Sequence, residues 1–249
     1  GGMAWGYGHL ARALSPRRTV QAQQAPALDL QQPIPAGIDA LAADYAARIV
    51  ATSPQGPYHL AGWSVGGIIA QAVAARLQAD GHAVGLVALL DAYPSECWRD
   101  EPEPTPVMAL RALLAIAGYD PDAHPELDSR DAIVDFLRRG DSALGNLPQA
   151  ALEGVIRVVT DTNRLIRQHH HTRWPGTLTH IRAGLDHAGR NLQGALWAPH
   201  AGTLDLLEVP FLHAHMTGPE ASALIAPLLD ARLAAWDAAG TVINEESTP

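Results

Sequence analysis

The segment Gly62-Trp63-Ser64-Val65-Gly66-Gly67 sets a serine between two glycines, each two residues away. It follows the apolar run Tyr58 to Ala61, which reads as a strand, and opens an apolar helical pattern from Val65 to about Ala79. A serine at the tip of such a strand-to-helix turn is exposed at the end of a sheet. Strand and helix backbones pass within contact distance there, so the flanking positions must be small, and Gly62 and Gly66 meet that demand. The helix N-terminus also aims amides and the positive end of its dipole at a developing oxyanion, with the Val65 amide first in line. The chemistry this supports is nucleophilic attack by Ser64.

A serine hydroxyl is a weak nucleophile at neutral pH and needs a base, which in turn needs an orienting group. With this turn the base follows the acid in chain order. The chain has twelve histidines, and His213 and His215 lie after a predicted strand (Thr203 to Val209) and before the last helix. Spacing alone does not choose between them. Two carboxylates compete for the third role. Asp91 ends the apolar run Val84 to Leu90, at the carboxyl end of a strand where sites gather in parallel sheets. Asp186 follows a later strand, Thr177 to Arg182, and also precedes the histidines. Cys97 has no comparable context, and the run His169-His170-His171 points in three directions on a helix, which suits a solvated or pocket-lining helix end better than one ion. Trp63, Trp98, Trp174 and Trp197 read as core or pocket wall.

The elements that must position these residues follow a strand, helix, strand order. Helical spacing covers Ala4 to Leu14 and Ile38 to Ala51, and Thr19 to Gln23 reads as a short strand. Val84 to Leu90 is apolar throughout, as a strand covered on both faces should be, and its link to the preceding strand implies a right-handed crossover. Beyond the proline-rich stretch Arg99 to Pro106 the pattern turns helical, with Val107 to Ala117, Arg130 to Arg139 and Leu152 to His169 as candidate helices of an inserted cap. Ala221 to Trp236 reads as a closing helix that Pro227 kinks or delays, and Asn244 to Pro249 as a frayed tail.

Composition narrows the partners. The 249 residues carry 17 basic and 26 acidic side chains, a net charge of −9, with 47% hydrophobic residues. That describes a globular chain without the basic face nucleic acid requires. No apolar stretch approaches the roughly 20 residues of a membrane span. With no signal-peptide pattern at the N-terminus and one cysteine, a cytoplasmic location is expected and redox or multi-cysteine metal chemistry is not.

Gly56 to Gly67, read as Gly-Pro-Tyr-His-Leu-Ala-Gly-Trp-Ser-Val-Gly-Gly, resembles the nucleophile segment of type I thioesterase domains of nonribosomal peptide and polyketide synthases. Gly2-Met3-Ala4-Trp5 with Tyr7 and Leu10 is similar to the segment after that family's first strand, and Leu89-Leu90-Asp91-Ala92-Tyr93-Pro94 to its acid segment. His213-Ala214-His215-Met216 matches its base with His213 first, and only the cap goes unmatched. The resemblance implies an α/β-hydrolase fold: a mostly parallel sheet with flanking helices and a helical lid at about 97–175, within one thioesterase domain over 1–249. It implies a Ser64, His213, Asp91 triad with the Val65 amide in the oxyanion hole. The triad would release an acyl or peptidyl chain from the phosphopantetheine thioester of a carrier protein, by hydrolysis or cyclisation, with no metal and no bound cofactor. It also implies a second oxyanion amide upstream of Gly1, in a first strand this sequence would not include. The position of Asp91, with Trp63 before the serine, speaks against the proofreading type II thioesterases. The alternatives are a free-standing esterase, lipase or acyltransferase on the same fold, and a non-catalytic binding module, which would need neither nucleophile nor base.

Overall fold

The computed structural model describes residues 2–14, 18–99, 101–140 and 142–246, with side chains to 239. Its centre is a four-stranded, wholly parallel sheet in the order β1 (Tyr58–Trp63), β2 (Val84–Leu90), β3 (Trp174–Ala183), β4 (Ala201–Val209). Every carboxyl end therefore lies on the same edge, and the loops leaving Trp63, Leu90, Ala183 and Val209 converge there. β2 is apolar because both its faces are covered: Val87, Ala88, Leu89 and Leu90 are fully buried.

Helices close the two faces. On one, α2 (Ile38–Thr52) and α3 (Val65–Ala79) pack through Leu41, Ala42, Tyr45, Ile68, Val73 and Leu77 against the sheet. On the other, α1 (Gly8–Leu14) and α9 (Pro219–Glu246) bring Leu10, Ile225 and Leu229 onto Ala88, Leu90 and Ile181. α9 is continuous through Pro227 from Pro219 on, correcting the expected late start, and the expected frayed tail is helical as far as Glu246. Proline removes the amide that would bond the Ala223 carbonyl, but both residues face solvent, where water can replace it, while Ala221, Ile225, Ala226 and Leu229 stay on the buried stripe. Residues 247–249 of that tail, like Gly1 of the N-terminal segment, lie outside the described residues.

Between β2 and β3 the chain forms α4 (Glu96–Arg99), α5 (Pro106–Leu110), α6 (Ala112–Ile116), α7 (Arg130–Arg139) and α8 (Gln149–Gln168). α5 to α8 share their own apolar cluster, built from Leu113, Leu114, Ile133, Leu137 and Leu152 with Leu144 between α7 and α8. The expected single helix over Val107 to Ala117 is two short ones broken at Arg111, whose guanidinium reaches out to the carbonyls of Pro121, His124 and Leu127. Thr19 to Gln23 forms no strand and pairs with none of the four, so the expected strand is absent; a sequence pattern makes a strand only where a neighbour can complete its hydrogen bonds.

Candidate active site

Ser64 sits between the last residue of β1 and the first of α3 with φ 55° and ψ −127°, a conformation in the left-handed half of backbone space that a serine rarely adopts. The turn is held from both sides. The Ser64 amide donates to the Leu90 carbonyl at 3.0 Å, extending the β1–β2 ladder, and the Ser64 carbonyl accepts from Gly67 at 2.9 Å. A Cβ on Gly62 would lie 2.0 Å from the Gly66 carbonyl oxygen, so no side chain fits where strand and helix cross. The Tyr7 hydroxyl accepts from the Trp63 amide at 3.0 Å and lies where a Cβ on Gly66 would go. Burial pushes its phenol up, so it stays neutral.

The His213 imidazole spans the gap between serine and acid. Its Nε2 lies 3.1 Å from Ser64 Oγ and its Nδ1 2.6 Å from Asp91 Oδ2. With Nδ1–H donating to the carboxylate, Nε2 is free to accept the serine proton. His213 opens the short helical turn that follows β4. Its amide donates to Asp186 Oδ2 at 2.9 Å, its carbonyl accepts from Trp63 Nε1 at 3.0 Å, and its ring lies 5.1 Å from the indole. Asp186 thus holds the backbone of the histidine that Asp91 holds by its ring. His215, two residues on, is exposed.

Asp91 is buried with φ 46° at the end of β2, and its carboxylate is fully engaged. Oδ1 accepts from the Tyr93 hydroxyl at 2.8 Å and the Ala183 amide at 3.0 Å; Oδ2 accepts from His213 and, also at 2.6 Å, from His187 Nε2. Burial alone would raise its pKa, but donation from the two histidines and the Ala183 amide outweighs it and holds the carboxyl well below the usual range. Burial, the negative charge beside it and its donation to that carboxylate push the Tyr93 phenol far up, so Tyr93 stays a donor. His187 and Tyr93 were missed in the sequence. The available signal was position: His187 follows Asp186 in the loop leaving β3, and Tyr93 lies two residues past Asp91.

Two imidazoles and a carboxylate oxygen also resemble a metal triad. A tetrahedral zinc site would hold neighbouring donor atoms about 3.3 Å apart. Both nitrogen-to-oxygen separations here are 2.6 Å, which is hydrogen-bond spacing. The other singled-out residues lie apart. Cys97 is half-buried and burial pushes its thiol up. The His169 to His171 run is not a solvated or pocket-lining helix end: α8 stops at Gln168, and His171 turns inward, Nε2 accepting from the Ser95 amide at 3.0 Å and Nδ1 meeting Gln71 Oε1 at 2.9 Å. Trp174 and Trp197 are core, and Trp98 lines the cleft. That cleft, about 320 Å³, reaches from Ser64 and Val65 past Trp98, Ile166 and Leu212 to Asp120 in the loop after α6.

A parallel sheet with helices on both faces, and a serine on a strand-to-helix turn facing a histidine from beyond the last strand, define the α/β-hydrolase class. The sequence profile described as thioesterase domain matches residues 1–201, and the chain belongs to that family. It is 31% identical over 237 residues to a dimodular nonribosomal peptide synthase of Bacillus subtilis strain 168, aligning 94% of this chain with 10% of that protein. To enterobactin synthase component F of Escherichia coli strain K12 it is 28% identical over 240 residues, 93% of this chain and 17% of the other. The chain therefore spans a small part of these relatives. Among solved structures, a four-domain nonribosomal peptide synthetase, AB3403, superposes with TM-score 0.76 at 22% identity, over 93% of this chain and 18% of that one. The thioesterase domain SrfTE, described with cyclization of the lipopeptide antibiotic surfactin, gives 0.64 at 19% identity, over 93% and 86%. At these identities the likeness speaks for the fold. Among the described residues no helix is long and apolar enough to cross a membrane.

Proposed function

We propose that the chain is the acyl-releasing domain of a nonribosomal peptide or polyketide synthase, taking an acyl or peptidyl chain from a carrier protein's phosphopantetheine thioester onto Ser64. The observation that carries the reading is the His213 imidazole bridging Ser64 Oγ and Asp91 Oδ2 in a member of the thioesterase family. Ser64 Oγ bonds to the thioester carbon while its proton passes to His213 Nε2. The carbonyl oxygen becomes an anion facing the Val65 amide, which heads α3 and has no acceptor within that helix. The C–S bond then breaks and the sulfur leaves with the proton from His213. In the second half, water or a nucleophile of the chain itself gives its proton to His213 and bonds to the acyl carbon. The bond to Ser64 breaks and Oγ recovers the proton, releasing a free acid or a cyclic product. Asp91 stays ionised throughout and holds the imidazole in the required tautomer. No step calls for a metal or a redox cofactor.

In this reading residues 1–249 work as one domain, and the helices within about 97–175 act as a lid that shapes the cleft and keeps stray water from the acyl-enzyme. The test is release of product from acyl- and peptidyl-carrier protein, or from short-chain thioester mimics, by the chain and its Ser64→Ala variant. Thioester turnover that falls by about 10⁴-fold or more in the variant is the expected result. Turnover of oxygen esters with none of thioesters would replace this reading by the free-standing esterase.

A further inference from the structure

We propose that His187 is a second positioning residue of this site, sharing Asp91 Oδ2 with His213 so that the loop after β3 sets how strongly the carboxylate holds the base. The inference rests on the Ser64, His213 and Asp91 reading above and adds to it a residue that the reaction itself does not need.

Three observations carry it. First, the other oxygen of Asp91 is already filled by the Tyr93 hydroxyl and the Ala183 amide, so Oδ2 alone is left, and both imidazoles reach it at 2.6 Å. A carboxylate oxygen that accepts two N–H groups offers each a weaker pull than it would offer one. Second, His187 is placed there at a cost. Its φ of 66° lies in the left-handed region, yet the turn is fastened: its amide donates to Asp186 Oδ1 at 2.8 Å and its carbonyl accepts from Arg190 at 3.0 Å. Third, Asp186 fastens both histidines, since its second oxygen takes the His213 amide at 2.9 Å. One carboxylate thus fixes the two backbones, and another fixes the two rings.

The ring of His187 is only 10% exposed. The titratable and charged groups facing it are Asp91 and Tyr93 from the loop after β2, His180 on β3, Asp186 and Arg190 on its own turn, and His213 from the loop after β4. Taking away its donated hydrogen bond leaves Asp91 Oδ2 to His213 alone. The imidazolium of His213 is then better stabilised, and the acid limb of any reaction that needs His213 as base moves to higher pH.

The readout is the rate at which a fluorophosphonate labels Ser64, followed by intact mass across pH 5 to 9, beside thermal melting. His187→Gly accepts the backbone conformation and removes the donor; His187→Asn tolerates it with an amide too short to reach Asp91; His187→Gln puts an N–H back near the position of Nε2. The expected result is an acid limb about half a pH unit or more higher in the Gly and Asn variants, with the Gln variant near the parent. Limbs that superimpose on the parent in the Gly and Asn variants overturn the proposal, and so does a Gln variant that shifts as far as they do. Because the probe is not a thioester, a parent that labels at Ser64 but cleaves no thioester would sink the proposed function while leaving this result readable. A parent that never labels at Ser64 overturns both.

Discussion

In the proposed reaction Ser64, His213 and Asp91 divide one task, and each substitution should fail in its own way. Ser64→Ala removes the atom that bonds to the acyl group, so labelling by a fluorophosphonate, read as intact mass, should vanish. Asp91→Asn leaves the shape in place but sets an amide N–H against an imidazole that must donate, favouring the wrong tautomer. Its turnover should drop by roughly 10³- to 10⁴-fold with little change in KM. The carboxyl of Asp91 sits below its ordinary value, so its stabilising charge is fully present above about pH 4 and is lost only as pH falls towards the folded-state pKa.

At the scale of elements, the β1–α3 turn is tightly constrained. Gly62→Ala would drive a methyl into the Gly66 carbonyl, which backbone cannot yield without moving the serine. A loss of about 3 kcal/mol or more is expected, checked by denaturant unfolding, together with loss of labelling in whatever remains folded. The helices between β2 and β3 should respond more mildly. Ser129 caps α7 by accepting from the Ala132 amide at 3.2 Å, and Ser129→Ala should cost about 1 kcal/mol without touching the chemistry. This region was legible in outline only. Arg130 to Arg139 could be bounded from sequence because Ser129 and Gly140 punctuate it, whereas the break at Arg111 depends on carbonyls 10 to 16 residues away.

Over the whole molecule, several histidines are kept neutral by burial. His171 is pushed down to about 2 and His180 to about 4. In the unfolded chain both titrate near 6.5, so below that pH the unfolded state binds more protons and stability falls as pH falls. For His180 the window runs from about 6.5 down to about 4, at up to about 1.4 kcal/mol per pH unit. Melting temperature should decline from pH 7 to 5, and the decline should be shallower in His180→Gln, whose amide can still donate to the Ala92 carbonyl that His180 Nε2 meets at 3.0 Å.

The sequence by itself determined what depends on neighbours along the chain. The glycines around Ser64, the apolar run of β2 and the helical spacing of α2 and α3 each encode a local demand, steric fit or burial, that residue types a few positions apart express directly. It also set the chain order of the residues proposed as nucleophile, acid and base. Only the tertiary structure decided between His213 and His215 as the ring that meets both Ser64 and Asp91, and between Asp91 and Asp186 as the carboxylate that meets it. That choice turns on where three loops from different strands come to rest. His187 belongs to the same kind of fact: its place in the loop leaving β3 puts it near the site, but only the fold brings it within hydrogen-bond reach of a carboxylate 96 positions earlier. Hydrogen bonds between loop ends depend on sheet order and strand register, and those are fixed by the packing of the whole chain.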